Sequence, residues 1–217
     1  AKIQGLYSDE LTKREEFENI DSNLYRPFDI EKNRLEKLDL DFDTEKWFVK
    51  TCIENEITPM ITIFSHNGAK RAEDAGFKNI KIASYDCASI PLVEKALSFA
   101  NELVISTGAT FWKEISETVK ILNDKVTEGQ EVALLHARTV YPTPLDDFSL
   151  ARMLALRAFG YKVGLSDHTK PMETGLVASK IAILLGADYV ERHFTVLERD
   201  KTKDGPVSIT PNELAEL

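Results

Sequence analysis

The sequence has little cysteine, with only Cys52 and Cys87, far apart and without paired spacing. That argues against a disulfide framework and a cysteine-rich zinc site, and it suits a reducing cytoplasm. No apolar run approaches the roughly 18 residues of a membrane span. The opening Ala1-Lys2-Ile3-Gln4 lacks the basic and apolar regions of a signal peptide. Positive charge is also short: 27 Lys and Arg face 36 Asp and Glu, a formal net charge of -9. Such a surface repels nucleic acid and anionic membrane, so neither is expected as a partner. An anionic substrate must be caught by local cations.

What is present is enough for one sizeable core: 217 residues, 43% of them hydrophobic, a length typical of a single barrel or doubly wound domain. One domain over 1–217 is expected. The chain lacks an initiating methionine and reads as a fragment.

From residue 58 onward short β-rich runs alternate with helical patterns, the signature of βαβ units feeding a parallel sheet in an α/β fold. Strands are expected near 59–65, 79–84, 103–107, 132–137, 162–167 and 188–194, with a stub at 1–4. Their starts recur at intervals of about 20 to 30 residues, room for one strand, one crossover helix and two loops. Helices are expected around 44–56, 67–76, 91–100, 111–124, 148–158 and 173–185, Pro91 opening one and Gly186 closing another in a left-handed conformation. The charged stretch at about 5–43 reads as an insertion packing loosely on the rim, either a solvated, partly helical connection or a lid.

The clearest constellation is Gly164-Leu165-Ser166-Asp167-His168-Thr169 followed by Tyr189-Val190-Glu191-Arg192-His193-Phe194-Thr195. Each histidine ends an expected strand, and one βαβ unit separates them. His168 and His193 should therefore project from the same end of adjacent parallel strands. Strand alternation sends Ser166 with His168, and Glu191 with His193, to one face. Two imidazoles with oxygen ligands from Glu191 or water suit an octahedral manganese-type ion better than a closed zinc site.

Lys81, flanked by isoleucines in Asn79-Ile80-Lys81-Ile82, needs an anion nearby. Lys2 shares a strand face with Gln4 and has the same look. The two lysines are either structural salt-bridge partners or a small site for phosphate and carboxylate. Thr62, Ser84 and Ser106-Thr107-Gly108 place hydroxyls and glycine-exposed amides at strand ends, where they can bond phosphate oxygens. Asp86 can accept from sugar hydroxyls, and Tyr141 sets a phenol beside the rigid Pro142-Thr143-Pro144 loop. His136 has the opposite parity and reads as a satisfied wall histidine; Arg138 shares that wall parity.

Lys-Ile-Ala-Ser at 81–84, Ile-Ser-Thr-Gly at 105–108, His136 with Tyr-Pro-Thr-Pro ending at 144, Gly-Leu-Ser-Asp-His-Thr at 164–169 and Glu-Arg-His-Phe-Thr at 191–195 stand in one order along the chain. In these motifs the chain resembles the N-acetylneuraminate (sialic acid) synthases with their legionaminic, pseudaminic and spore-coat polysaccharide relatives. The resemblance implies a (β/α)₈ TIM barrel, here without its first strand and without the antifreeze-like domain that often follows. It implies an enzyme that condenses phosphoenolpyruvate with an N-acylated amino-sugar aldehyde around Mn2+ or Mg2+, a cytoplasmic homodimer. By that likeness His168 and His193 are the metal ligands. Lys2, Thr62, Lys81, Ser84, Ser106 and Ser166 hold phosphoenolpyruvate, with Thr139 where relatives carry Asn or Ser; Asp86, Tyr141 and Asp204 meet the sugar. Three rival readings stay open: a 3-deoxy-sugar-acid synthase taking a phosphorylated aldose, a Schiff-base aldolase using Lys81, and a non-catalytic binding barrel.

Overall fold

The structure, a computed structural model, describes residues 1–21 and 25–217. Seven parallel strands run in sequential order: β1 (Lys2–Gly5), β2 (Met60–Ile63), β3 (Asn79–Ile82), β4 (Glu102–Ser106), β5 (Glu131–Ala137), β6 (Lys162–Asp167) and β7 (Tyr189–Arg192). Every strand expected from the sequence is present. The helices are α1 (Phe28–Leu35), α2 (Phe42–Glu54), α3 (His66–Ala75), α4 (Ile90–Leu97), α5 (Trp112–Lys125), α6 (Leu150–Leu156), α7 (Pro171–Thr174), α8 (Val177–Leu184) and α9 (Pro211–Glu216). Strands and crossover helices alternate around a curled sheet, the arrangement of a (β/α)₈-type barrel.

Alternation along each strand separates two cores. Ile61, Ile63, Ile80, Ile82, Leu103, Ile105, Leu134 and Leu165 face outward and are buried under the helices. Parallel strands covered by helices carry such aliphatic runs because water is excluded from that side. The inward cluster is smaller: Val104, Ala133 and Leu135, packed by Met60 and Tyr189. Gly164 makes room for this plug, since a Cβ there would lie 2.3 Å from the Tyr189 carbonyl oxygen.

Local chemistry explains the helix starts. Asp41 accepts from the Thr44 amide at 2.7 Å to cap α2, and Ser65 accepts from the Gly68 amide at 2.8 Å to cap α3. Proline occupies the first turn of α4, as the sequence suggests. The single helix expected over 173–185 is instead two, because Gly175, at φ 58° and ψ -143°, breaks the chain between α7 and α8. The apolar spacing of Leu176, Val177 and Ile181 continues across the break, so periodicity alone does not reveal it. Gly186 takes φ 83°, the left-handed conformation expected of it.

Within the charged stretch at 5–43, residues 22–24 lie outside the described residues. The remainder contains short 3-10 turns and α1, in line with a partly helical connection. This stretch is held at several points. The Tyr7 hydroxyl donates to the buried Glu45 at 2.7 Å, Glu45 accepts from Arg71, and Ser8 donates from amide and hydroxyl to Asp39.

Candidate active site

Register brings the inward polar residues to one mouth. Gln4 lies opposite Thr62 and Thr62 opposite Lys81 on one side of the curl; Ser166 lies opposite Glu191 on the other. The curl then closes the gap between the two sides. Lys81 Nζ donates to both Glu191 oxygens, at 2.7 and 2.6 Å, and Ser166 Oγ donates to Glu191 at 2.6 Å. Lys2 Nζ stands 3.8 Å from the same carboxylate and donates to Thr62 Oγ1 at 3.1 Å.

The buried lysine's expected anion is therefore Glu191. Burial alone would raise the Glu191 carboxyl, but Lys81 and Lys2, with hydrogen bonds from Lys81 and Ser166, hold it well below the usual range. Burial lowers the Lys81 ammonium, and Glu191 opposes that shift. Two ammonium groups against one carboxylate leave one positive charge for an incoming anion. Since both Glu191 oxygens serve the lysines and Ser166, this carboxylate is their counter-ion, not the oxygen donor beside the histidines that the sequence suggests.

His168 and His193 do converge, with ring centroids 5.5 Å apart. His168 Nδ1 meets the Arg138 carbonyl oxygen at 3.0 Å, which places its proton on Nδ1 and leaves the Nε2 lone pair facing the mouth. Nε2 accepts from the Tyr141 hydroxyl at 2.7 Å and lies 3.3 Å from Ser166 Oγ. Burial, then the neighbouring His193, lowers the His168 pKa to about 4. Burial also lowers His193, against the pull of Asp204, whose carboxylate is 3.7 Å from His193 Nδ1. Both imidazoles are neutral at neutral pH, as metal binding requires. Among the described residues no three His, Cys, Asp or Glu side chains converge on one point.

Other candidates lie at the ends of neighbouring strands and in the loops that follow them. A Cβ at Gly108 would stand 2.8 Å from Ser84 Oγ and 3.0 Å from Thr139 Cγ2, so only glycine lets the loop after β4 lie against both. The Gly108 amide donates to Ser84 Oγ at 3.2 Å. Ser106 is buried on the inward face. Asp86 ends the turn after β3, its carboxyl raised by burial. Burial, then Glu191 and Asp204, raises the Tyr141 phenol, which stays protonated. Gln4 is exposed at the end of β1.

One expectation needs correction: His136 is a buried wall residue, but neither ring nitrogen has a hydrogen-bond partner, so it is not satisfied. Sequence reasoning also missed Asp167 and Arg192, which face each other across β6 and β7 and form a buried ion pair at 2.6 Å. Asp167 accepts from the Thr169 amide, the Thr169 hydroxyl and Ser179 as well, fixing the turn that carries His168. The signal was available: opposite charges immediately precede the two histidines in matched positions.

The NeuB family model matches residues 1–217. The chain is 32% identical over 187 residues to the N,N'-diacetyllegionaminic acid synthase of Campylobacter jejuni, covering 84% of this chain and 54% of that protein. It is 37% identical over 140 residues to the N-acetylneuraminate-9-phosphate synthase of Drosophila melanogaster, covering 64% of this chain and 36% of that one. The crystal structure of the N-acetylneuraminic acid synthetase of Leptospira borgpetersenii, in complex with citrate, superposes with a TM-score of 0.80 at 25% identity, covering 99% of this chain and 69% of that chain. The chain spans about half the length of the Campylobacter relative, and less of the Drosophila one.

Proposed function

We propose, on the premise that this chain belongs to the NeuB family, that it forms the barrel of a nonulosonic acid synthase, joining phosphoenolpyruvate to an N-acylated amino-sugar aldehyde with release of phosphate. The observation that carries this reading is one continuous polar chain, Lys2–Glu191–Lys81 through Ser166 to His168 and Tyr141, at the mouth of an otherwise aliphatic barrel.

In this reading Lys2 and Lys81 hold the phosphate and carboxylate of phosphoenolpyruvate, supported by Thr62, Ser84, Ser106, Thr139 and Ser166. Their surplus positive charge offsets the anion, and Glu191 keeps Lys81 an ammonium rather than a free amine. A lysine so held acts by electrostatics and orientation, not as a Schiff-base nucleophile. Asp86, Tyr141, Gln4 and Asp204 face the sugar hydroxyls and acetamido group.

His168 and His193 would hold Mn2+ or Mg2+, the remaining positions going to water or substrate oxygens. The donor set fits, because both rings are neutral and the Arg138 carbonyl fixes the His168 tautomer. When bound, such an ion supplies Lewis-acid polarisation of the aldehyde oxygen. In overall balance, carbon 3 of phosphoenolpyruvate bonds to the aldehyde carbon, water adds at carbon 2, and phosphate leaves with its bridging oxygen. The Tyr141 hydroxyl, protonated and at the mouth, is placed to donate to an oxygen bound there.

The same reading places the protein in the cytoplasm as a homodimer, a setting that suits two buried free thiols, Cys52 and Cys87. Among the described residues no helix is long and apolar enough to cross a membrane.

The test is phosphate release from phosphoenolpyruvate with Mn2+, using the natural protein that carries this barrel. N-acetylmannosamine, diacetamido-hexoses and arabinose 5-phosphate are the acceptors. Release with an acylamino sugar supports the reading and names the substrate. Release only with arabinose 5-phosphate would replace it with a 3-deoxy-sugar-acid synthase, and tight binding without turnover would make the barrel a binding module.

A further inference from the structure

We propose that a second anion site, separate from the histidine mouth, occupies a cavity of about 310 Å³ between the loop after β4, the end of β5 and α6, and that it takes phosphate or the phosphate of a phosphomonoester. Its lining includes Thr110, Phe111, His136, Arg138 and Arg152.

His136 is the first ground. The residue is 1% exposed, yet neither ring nitrogen has a hydrogen-bond partner, and its nearest aromatic contact, Phe148 at 6.0 Å, offers none. Burying a polar ring with both nitrogens unpaired costs free energy, and since neither nitrogen is open to the cavity as it stands, a ligand oxygen would recover that cost on a small shift of the cavity wall.

Unpaired arginine is the second. In a chain of net charge -9, Arg34, Arg71, Arg157, Arg192 and Arg199 all hold carboxylates. Among the described residues Arg14, Arg26, Arg138 and Arg152 hold none, and the last two line this cavity. Arg152 is nonetheless fixed in place, donating to the Thr110 carbonyl oxygen at 2.8 Å with its guanidinium over the Trp112 ring at 4.7 Å. The fork of a guanidinium so held is preorganised for a phosphate. Glu114, the acid of the adjoining helix turn, is bound back to the Phe111 amide at 2.7 Å.

Burial, then Arg152 and Arg138, lowers the His136 pKa to about 4. The ring is neutral at neutral pH, with one N–H to donate. Strand parity keeps the site distinct from the mouth, since His136 and Lys81 lie on opposite faces of the sheet, outward and inward. The two sites meet along the backbone at Thr107, Gly108, Ala137 and Arg138, whose carbonyl oxygen bonds His168 on the mouth side.

Histidine side-chain 15N resonances of the whole protein test this, with inorganic phosphate and glucosamine 6-phosphate titrated separately and chloride as the ionic-strength control. Lys81→Met, which weakens anion binding at the mouth, is titrated in parallel. Saturable movement of the His136 resonances is expected in both proteins, with affinity about tenfold weaker in Arg138→Gln. The tighter of the two titrants identifies free oxyanion or phosphomonoester as the occupant. His136 resonances unmoved up to about 50 mM phosphate, or movement lost in a folded Lys81→Met, would overturn the proposal. Arg138 is exposed and makes no side-chain hydrogen bond among the described residues, so Arg138→Gln keeps the test decisive if Lys81→Met does not fold.

Discussion

Lys81 and Glu191 lie 110 positions apart in the sequence, on β3 and β7, and their charged ends meet at 2.6 Å inside the barrel. The Lys81 side chain is 4% exposed and that of Glu191 23%. The pair crosses the barrel interior, linking two strands that share no hydrogen bonds, and so ties one half of the curled sheet to the other.

Removing one partner should cost more than removing both. Glu191→Ala leaves Lys81 buried beside Lys2 and is expected to lower stability by about 3 kcal/mol. Lys81→Met combined with Glu191→Leu should lose clearly less. Urea unfolding of the singles and the double decides it, and a double mutant as unstable as Glu191→Ala would refute the pairing energetics. The pH sign follows from the depressed carboxyl. Glu191's contribution is complete above its ordinary value near 4.5 and is lost as pH falls below that towards the folded value.

His168→Ala should abolish Mn2+ binding, and His193→Ala should do the same. Calorimetric titration of Mn2+ reads this directly, and unchanged affinity in either variant would sink the assignment. Tyr141→Phe removes the hydroxyl that occupies His168 Nε2 at 2.7 Å. Mn2+ binding to the resting protein should therefore tighten about threefold, whereas weaker binding would mean that the phenol helps to hold the ion.

Arg192→Met leaves the wholly buried Asp167 without its counter-ion and should destabilise by about 3 to 5 kcal/mol. Because Asp167 also fixes the turn bearing His168, Mn2+ affinity should fall in the same variant even where it remains folded. A variant with normal Mn2+ affinity would show that the turn holds without the pair.

In phosphate-free buffer, His136 should not titrate across neutral pH. Its pKa is lowered from 6.5 to about 4, so the folded state is penalised as pH falls through that window. His136→Leu should lose less stability than the natural protein between these two values. Equal losses would place the acid sensitivity elsewhere.

Much of this was legible in the sequence because local rules decide it. Aliphatic runs of strand length, separated by amphipathic stretches, fix β2 to β6 and most helices whatever their neighbours do. Parity along a strand places Ser166 with His168 and Lys81 inward. The motifs around His168 and His193 carry the family through a resemblance that the match over 1–217 establishes.

Tertiary structure alone decided which charges answer which. Lys81 required an anion, but only the curl of the sheet brings Glu191 to it. Asp167 and Arg192 show as two opposite charges in matched positions, but their ion pair depends on the register of β6 against β7. Gly175 breaks a helix whose apolar spacing runs on unbroken, and His136 is left unpaired by what packs around it. Periodicity and motif are short-range properties that a chain carries in its own order. Ion pairing, desolvation and cavity shape depend on distances between residues tens to a hundred positions apart, and these are set only when the sheet curls around them.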